Sequence, residues 1–186
     1  ALISEVTDLV QAMLNIAGAP ARPAQRITYR EAFLEHVGVD PFVSDRAALE
    51  AAAAPAALPD ATLRSMSRDE LLDLLMALRV GPRLGPGALT FITHYPASQA
   101  ALARLDPADP RVAPRFELYA DGVELANGFH ELADGAEQRR RFEADRRERQ
   151  RRGLAAHALD ERLLAALEQG LPDCAGVALG FDRVAM

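Results

Sequence analysis

The sequence has no lysine, no tryptophan and a single cysteine, Cys174, among its 186 residues. One cysteine excludes an intrachain disulfide bond and makes a reducing cytoplasm the default compartment. No apolar run approaches the roughly 20 residues that a membrane-spanning helix needs, so we expect no transmembrane segment. The 21 arginines are outnumbered by 27 acidic residues, which gives a net charge of −6. A general nucleic-acid binder is usually basic, so this class of protein is disfavoured.

The composition and the periodicity of the chain predict a folded α+β protein. Hydrophobic residues make up 49% and charged residues 26% of the chain, which excludes a disordered tail. Helical periodicity and two capping boxes, Thr28 with Glu31 and Ser67 with Glu70, dominate the first half. Strand and helix patterns alternate in the second half. We predict an antiparallel sheet flanked by helices, with a mostly helical insertion over residues 1–87 and the sheet over residues 88–186.

Three local patterns give expectations that a structure can test. The two prolines in residues 19–25 predict a linker there. Ser44 is expected to cap an alanine-rich helix that continues to about Ala54, because serine is a favoured N-cap residue. The apolar pattern over residues 98–105 predicts a short helix.

The dipeptide Asp121-Gly122 is a strong hairpin signal, since it joins two segments of alternating character. A two-residue turn pairs Tyr119 with Glu124 and Glu117 with Ala126, so these four side chains share one face. The two glutamates then become diagonal neighbours at roughly 7–8 Å. Two carboxylates at that separation can hold a hard divalent cation that bridges phosphate oxygens. A solvated acidic face is the alternative interpretation.

Strict alternation places Asn127 and Glu131 on the face opposite Glu124. One β-bulge between Glu124 and Asn127 would return both to the acidic face, and bulges are frequent next to active sites. Gly128 allows the unusual backbone that such a bulge requires.

Three motifs in the second half carry a family resemblance. They are Phe116-Glu117-Leu118, then Gly122-x-Glu124-x-x-Asn127-Gly128-x-x-Glu131-Leu132, and Gly176-Val177-Ala178-Leu179-Gly180-Phe181-Asp182-Arg183. Together they resemble the catalytic core of class II lysyl-tRNA synthetases, whose motif 3 is the last of the three. Residues 94–103, 124–132 and 172–180 more closely resemble the elongation factor P lysine ligases, short paralogues without an anticodon-binding domain.

The resemblance implies an ATP-dependent ligase with Mg²⁺ as a second cofactor. In that family the carboxylate of an amino acid attacks the α-phosphate of ATP, and the β-lysyl group then passes to a lysine side chain of elongation factor P. The implied partners are therefore lysine or β-lysine and elongation factor P. A homodimer is implied for the full-length protein, and neither tRNA nor a membrane is an expected partner.

The resemblance also implies roles for individual residues. Arg183 is the expected catalytic residue, and the expected metal ligands are Glu117 and Glu124. Those expected to contact ATP are Glu117, Leu118, Glu124, Gly176, Gly180 and Arg183. Those expected to contact the amino-acid substrate are Glu124, Asn127, Glu131 and Ala178.

Two departures from the family pattern matter. Motifs 1 and 2 would precede residue 1, so we expect the chain to be a C-terminal piece of a larger protein and to be inactive alone. Lysyl-tRNA synthetases usually have glycine where this chain has Ala178, and the added methyl group favours the ligase. A catalytic fragment of a true lysyl-tRNA synthetase and a noncatalytic paralogue that binds nucleotide or partner are the alternatives.

The arginine-rich segment over residues 136–152 predicts a highly charged helix. Its acidic residues favour a solvated, salt-bridged face. A patch that docks a protein or RNA partner is the alternative.

Overall fold

The computed structural model describes residues 1–56 and 58–186. The helices described are α1 (Leu2–Ile16), α2 (Tyr29–His36), α3 (Arg46–Ala53), α4 (Asp60–Ser65), α5 (Arg68–Leu75), α6 (Gly135–Arg151), α7 (Glu161–Glu168) and α8 (Phe181–Ala185). The strands are β1 (Ala24–Thr28), β2 (Leu89–Pro96), β3 (Val112–Ala120), β4 (Val123–His130) and β5 (Ala175–Leu179). None of the described helices combines the length and the apolar character needed to cross a membrane.

The five strands form one sheet in the order β1-β2-β3-β4-β5. This confirms the α+β class, although the sheet is mixed, because β1 runs parallel to β2 while the other neighbours are antiparallel. The linker predicted over residues 19–25 is wrong at its end, where Ala24 and Gln25 already belong to β1. The partner of β1 is distant in the chain, so no local pattern marks it. The boundary between residues 87 and 88 stays a prediction, and β1 lies in the sheet although it precedes that boundary.

Side-chain caps fix where several helices begin. Both predicted capping boxes are present, at the starts of α2 and α5. The predicted cap Ser44 is wrong, because the adjacent Asp45 accepts the hydrogen bond from the Ala48 amide instead. Ser44 Oγ accepts from the Asp40 amide at 3.0 Å. An aspartate one position closer to the helix reaches the orphan amide, which a cap must satisfy.

The short helix predicted over residues 98–105 is also wrong. Only Ala97–Gln99 form a single 3₁₀ turn. Ala101 then adopts φ 51°, a left-handed conformation that ends any helix, and Ala103 forms an isolated bridge with Glu131. This segment is therefore a turn that packs against the end of β4.

The two faces of the sheet are covered differently. On one face α1 places Val6 and Val10 against a buried cluster that includes Leu89, Phe91 and Phe116. On the other face α2, α3 and α5 bury a second cluster against β2, in which the aromatic ring of Tyr95 takes part. Farther along this second face, over β4 and β5, the side chains are half-buried or exposed.

The β3–β4 hairpin contains the bulge that the sequence analysis considered. The predicted pair of Tyr119 and Glu124 is confirmed, but the predicted pair of Glu117 and Ala126 is wrong. The register shifts because Leu125 is an extra residue on β4, so that Ala126 pairs with Leu118 and turns into the α1 cluster. Glu117 consequently pairs with Asn127.

Gly128 provides a direct test of this hairpin packing. A Cβ atom on Gly128 would lie 2.6 Å from Cζ of Phe116 and 2.9 Å from the carbonyl oxygen of Gly176. We expect Gly128→Ala to lower the free energy of unfolding by about 1–3 kcal/mol, since rigid neighbours have no room for a methyl group. Gly180→Ala is the matched control, because its Cβ would meet nothing closer than 3.4 Å. Urea unfolding measures both, and equal losses would contradict the packing described.

Candidate active site

Three adjacent strands bring sequence-predicted residues into one row. Glu117 of β3 pairs with Asn127 of β4, and Asn127 pairs in turn with Ala178 of β5. Directly paired residues project to the same side of a sheet, so the three side chains share a face. This is the face that is half-buried or exposed over β4 and β5, where a small molecule has access.

Glu117 is a buried carboxylate with both oxygens engaged. The residue is only 8% exposed. Oε1 accepts a hydrogen bond of 2.6 Å from Nη2 of Arg115, and Oε2 accepts one of 2.8 Å from the hydroxyl of Tyr119. A buried polar group without hydrogen-bond partners destabilises the fold, and these two donors satisfy the carboxylate. Burial and the charge of Glu117 raise the pKa of the Tyr119 hydroxyl above its usual range, which keeps it a donor.

Arg115 is a residue of this candidate site that the sequence analysis missed. Besides Glu117, it contacts Gln99, Asn127 and Tyr95. A charged residue in a strand is typical of a solvated face, so it attracts no attention by itself. The signal that could have found it is the period of two, because Arg115 lies two residues before Glu117 and therefore on the same face.

Glu124 and Arg183 lie together at the edge of this face. Nη1 of Arg183, in α8, donates to the backbone oxygen of Glu124 at 2.9 Å and lies 3.6 Å from its Oε2. Burial raises the pKa of the Glu124 carboxyl, and the negative charge of Glu117 raises it further. Arg183 opposes that shift. The structure thus brings the predicted pair of carboxylates and the predicted arginine into one electrostatic cluster.

Glu131 lies beyond the end of β4, over the backbone of β5. A Cβ atom on Gly176 would lie 2.6 Å from Oε1 of Glu131, so a larger residue at this position would displace the carboxylate. Burial raises the pKa of the Glu131 carboxyl. Glu131 also lines a cavity of about 450 Å³. Most of the other residues that line this cavity are leucines, and Cys174 lines it as well. A carboxylate at the edge of an apolar cavity suits a cation carried on an aliphatic chain.

Two of the residues predicted to contact ATP, Leu118 and Gly180, can offer only backbone atoms to a ligand on this face. The side chain of Leu118 is fully buried in the α1 cluster, on the opposite face. Only its backbone can therefore meet a ligand on the row of Glu117 and Asn127. The amide of Gly180 donates to the backbone oxygen of Leu125 at 2.8 Å, which fixes the start of α8 beside the bulge.

The carboxylates fit a magnesium ion that also binds phosphate. Within residues 1–56 and 58–186 no group of three or more His, Cys, Asp or Glu side chains converges as a metal cage. Mg²⁺ commonly uses one or two carboxylates together with substrate phosphates instead. Glu124 is the freer of the two glutamates, whereas Arg115 and Tyr119 already occupy one acceptor position on each oxygen of Glu117.

The arginines of α6 are largely salt-bridged in the structure. Arg139 pairs with Glu161, while Arg140 and Arg141 both pair with Glu137. Just past the helix end, Arg152 pairs with Glu70 of α5. These contacts favour the solvated, salt-bridged face over a docking patch.

Comparison with known proteins places the chain in a family. The model for class II tRNA synthetases (D, K and N) matches residues 1–186, and the chain belongs to this family. Relatives named elongation factor P–(R)-β-lysine ligase come from Klebsiella pneumoniae subsp. pneumoniae, Salmonella typhi and Yersinia enterocolitica, at 51%, 49% and 48% identity over 185 residues. Each match covers 100% of this chain and 55% of the relative.

The raised pKa of Glu124 predicts a pH-dependent effect on stability. A carboxyl group whose pKa is higher in the folded state penalises folding when it is ionised, so its penalty grows as the pH rises above the ordinary value of 4.5. We expect Glu124→Gln to raise the midpoint of thermal unfolding at pH 7, with a gain that shrinks as the pH falls towards 4.5.

Glu137→Gln is the control for this measurement. Hydrogen bonds from Arg141 and Arg140 lower the pKa of Glu137, so its charge stabilises the fold at pH 7 and that substitution lowers the midpoint. Equal losses in the two variants at pH 7 would contradict the electrostatics described for Glu124.

Proposed function

We propose that the chain provides part of the catalytic core of an ATP-dependent ligase. The enzyme activates β-lysine as its adenylate and transfers the β-lysyl group to a lysine side chain of elongation factor P. The observation that carries this proposal is the row formed by Glu117, Asn127 and Ala178 across three strands. Along β4, Glu131 lies on one side of this row, and Glu124 with Arg183 lies on the other. The names of relatives at about 50% identity support it.

The chemistry requires positioning and charge stabilisation rather than a side-chain nucleophile. A carboxylate oxygen of the amino acid attacks the α-phosphorus of ATP, the bond to the β-phosphate breaks, and pyrophosphate leaves. The ε-amine of the acceptor lysine then attacks the carbonyl carbon, an amide bond forms, and AMP leaves with a proton lost from the amine. Each step needs anionic oxygens to be held and neutralised.

The residues divide between the nucleotide and the amino acid. Arg183 pairs with the phosphates, because a planar guanidinium forms bidentate hydrogen bonds with them. Glu117 and Glu124 would hold Mg²⁺, which would supply positive charge against the phosphate oxygens. Gly176 and Gly180 let the backbone approach the ligands closely.

The part of the site from Asn127 to Glu131 recognises a substrate with a distant ammonium group. Glu131 presents its carboxylate beside an apolar cavity, which matches the aliphatic chain and terminal ammonium of lysine or β-lysine. Asn127 contacts the same substrate closer to its reacting carboxylate. Ala178 lies next to Asn127 and adds a methyl group where the lysyl-tRNA synthetases that the chain resembles usually have glycine.

The location and assembly of the enzyme are part of the proposal. The single cysteine favours the reducing cytoplasm. The longer protein that the sequence analysis predicts would form a homodimer, as its family resemblance implies. Elongation factor P, rather than tRNA, is the proposed acceptor.

Amino-acid-dependent exchange of pyrophosphate into ATP tests the activation step. In the longer protein with Mg²⁺, we expect exchange with β-lysine to exceed exchange with α-lysine. Ala178→Gly removes one methyl group from the pocket, which is worth roughly 1–3 kcal/mol or about 10- to 200-fold in discrimination, and the ratio should shift towards α-lysine. Ala165→Gly is the control for the same chemical change, because Ala165 is exposed on α7 and does not line the cavity beside Glu131. The assignment of Ala178 fails if Ala178→Gly shifts the ratio no more than the control does, and the proposed activity fails if no amino acid supports exchange.

A further inference from the structure

The structure assigns Arg115 the role of a positioning residue for the amino-acid site. We propose that it turns the amide of Asn127 so that the NH₂ group, not the carbonyl oxygen, faces the substrate. The atom that Asn127 presents is then a hydrogen-bond donor, and the group it recognises is the carboxylate of the amino acid. The inference rests on the proposed function, because it concerns the amino acid of that reaction.

The guanidinium of Arg115 uses all three of its nitrogens on different parts of the fold. Nη2 donates to Oε1 of Glu117 at 2.6 Å, on β3. Nε donates to Oδ1 of Asn127 at 3.2 Å, on β4. Nη1 donates to the backbone oxygen of Gln99 at 2.7 Å, in the 3₁₀ turn after β2. Because the guanidinium is planar and rigid, these three acceptors are fixed relative to one another.

Further contacts hold the guanidinium itself in place. It stacks 4.4 Å from the ring centroid of Tyr95, and its side chain is only 15% exposed. The turn it contacts is tied to α5, since Nε2 of Gln99 donates to Asp73 at 2.9 Å and the Ser98 hydroxyl donates to Asp69 at 2.7 Å. Arg115 is therefore the link between the helical layer and the row of site residues.

The chemistry of arginine decides the orientation of the asparagine. Arginine carries donors and no acceptor, so only the carbonyl oxygen of the Asn127 amide can bond to it. The NH₂ group is thereby directed away from Arg115. Asn127 is half-buried in a row that continues to Ala178 on the open face. A fixed donor in that place matches an anionic oxygen and repels an ammonium group.

This orientation gives the two ends of the substrate different partners. Asn127 and Glu131 are four residues apart, which spans about 13 Å along an extended strand. We infer that an amino acid whose ammonium group lies at the far end of an aliphatic chain extends over this distance. Its carboxylate then meets the Asn127 donor, and its ammonium meets Glu131.

Asn127→Asp and Asn127→Ala in the longer protein separate the two orientations of the amide. Aspartate can still accept from Arg115, but it presents an oxygen to the substrate. If the NH₂ group faces a carboxylate, Asp adds repulsion to the lost donor. We then expect the KM for the amino acid to rise at least about 10-fold more in Asn127→Asp than in Asn127→Ala, with the KM for ATP little changed in both. If Asn127→Asp equals or outperforms Asn127→Ala, the inference is overturned.

Arg115→Lys tests the positioning role with the charge retained. Lysine keeps Glu117 paired but lacks the rigid fork, so we expect the KM for the amino acid to rise while the KM for ATP stays near that of the parent. Arg115→Met removes the charge as well and should raise both. A merely structural role would instead lower kcat and the unfolding midpoint in both variants without this difference between the two KM values.

A double-variant cycle tests the contact without any assay of activity. The losses in unfolding midpoint are measured for Arg115→Met, Asn127→Ala and the double variant. A shared hydrogen bond predicts that the double variant loses less than the sum of the single losses, and additive losses overturn the inference. If the parent protein supports no exchange of pyrophosphate into ATP, the proposed function fails. This cycle still shows whether Arg115 and Asn127 share a hydrogen bond.

Discussion

The site depends on a single extra residue in β4. Because Leu125 has no partner on β3, the register after it shifts, and Asn127 comes to lie opposite Glu117. Without that shift, Asn127 would face the α1 cluster, and the buried Ala126 would occupy its place on the open face. A β-bulge is therefore what converts an ordinary acidic hairpin into a row of side chains that continues to Ala178.

The row is rigid because it is supported on both sides. Below it, the α1 cluster buries Leu118 and Phe116 on the opposite face. Beside it, the Arg115 guanidinium joins β3 and β4 to the turn that α5 holds. The helical layer over β1 and β2 thus contributes to the site although none of its own residues belongs to the row. Such a preorganised arrangement suits adenylation, in which the protein mainly positions charges.

Local signals predicted several parts of the fold correctly, although the Ser44 cap and the helix over residues 98–105 were wrong. The capping box at Thr28 and the Asp121-Gly122 turn act over a few residues, and both are confirmed. Strand β1 escaped detection because β2, the strand with which it pairs, lies far away in sequence.

The same distinction holds within the candidate site. The family motifs located Glu117, Asn127 and Glu131, but spacing alone left the face of Asn127 open, because a bulge has little local signature. Strand alternation places Arg115 on the same face as Glu117, but it does not reveal the acceptors on β4 and on the 3₁₀ turn from which the importance of Arg115 comes.

The central claim is that the enzyme transfers the β-lysyl group to elongation factor P, and the most direct test determines which molecule receives this group. The longer protein is incubated with ATP, Mg²⁺ and β-lysine in the presence of both elongation factor P and lysine tRNA, and both are recovered. The account predicts that the intact mass of elongation factor P rises by that of one lysyl group while the tRNA stays uncharged. Charging of the tRNA with an unchanged elongation factor P would contradict it.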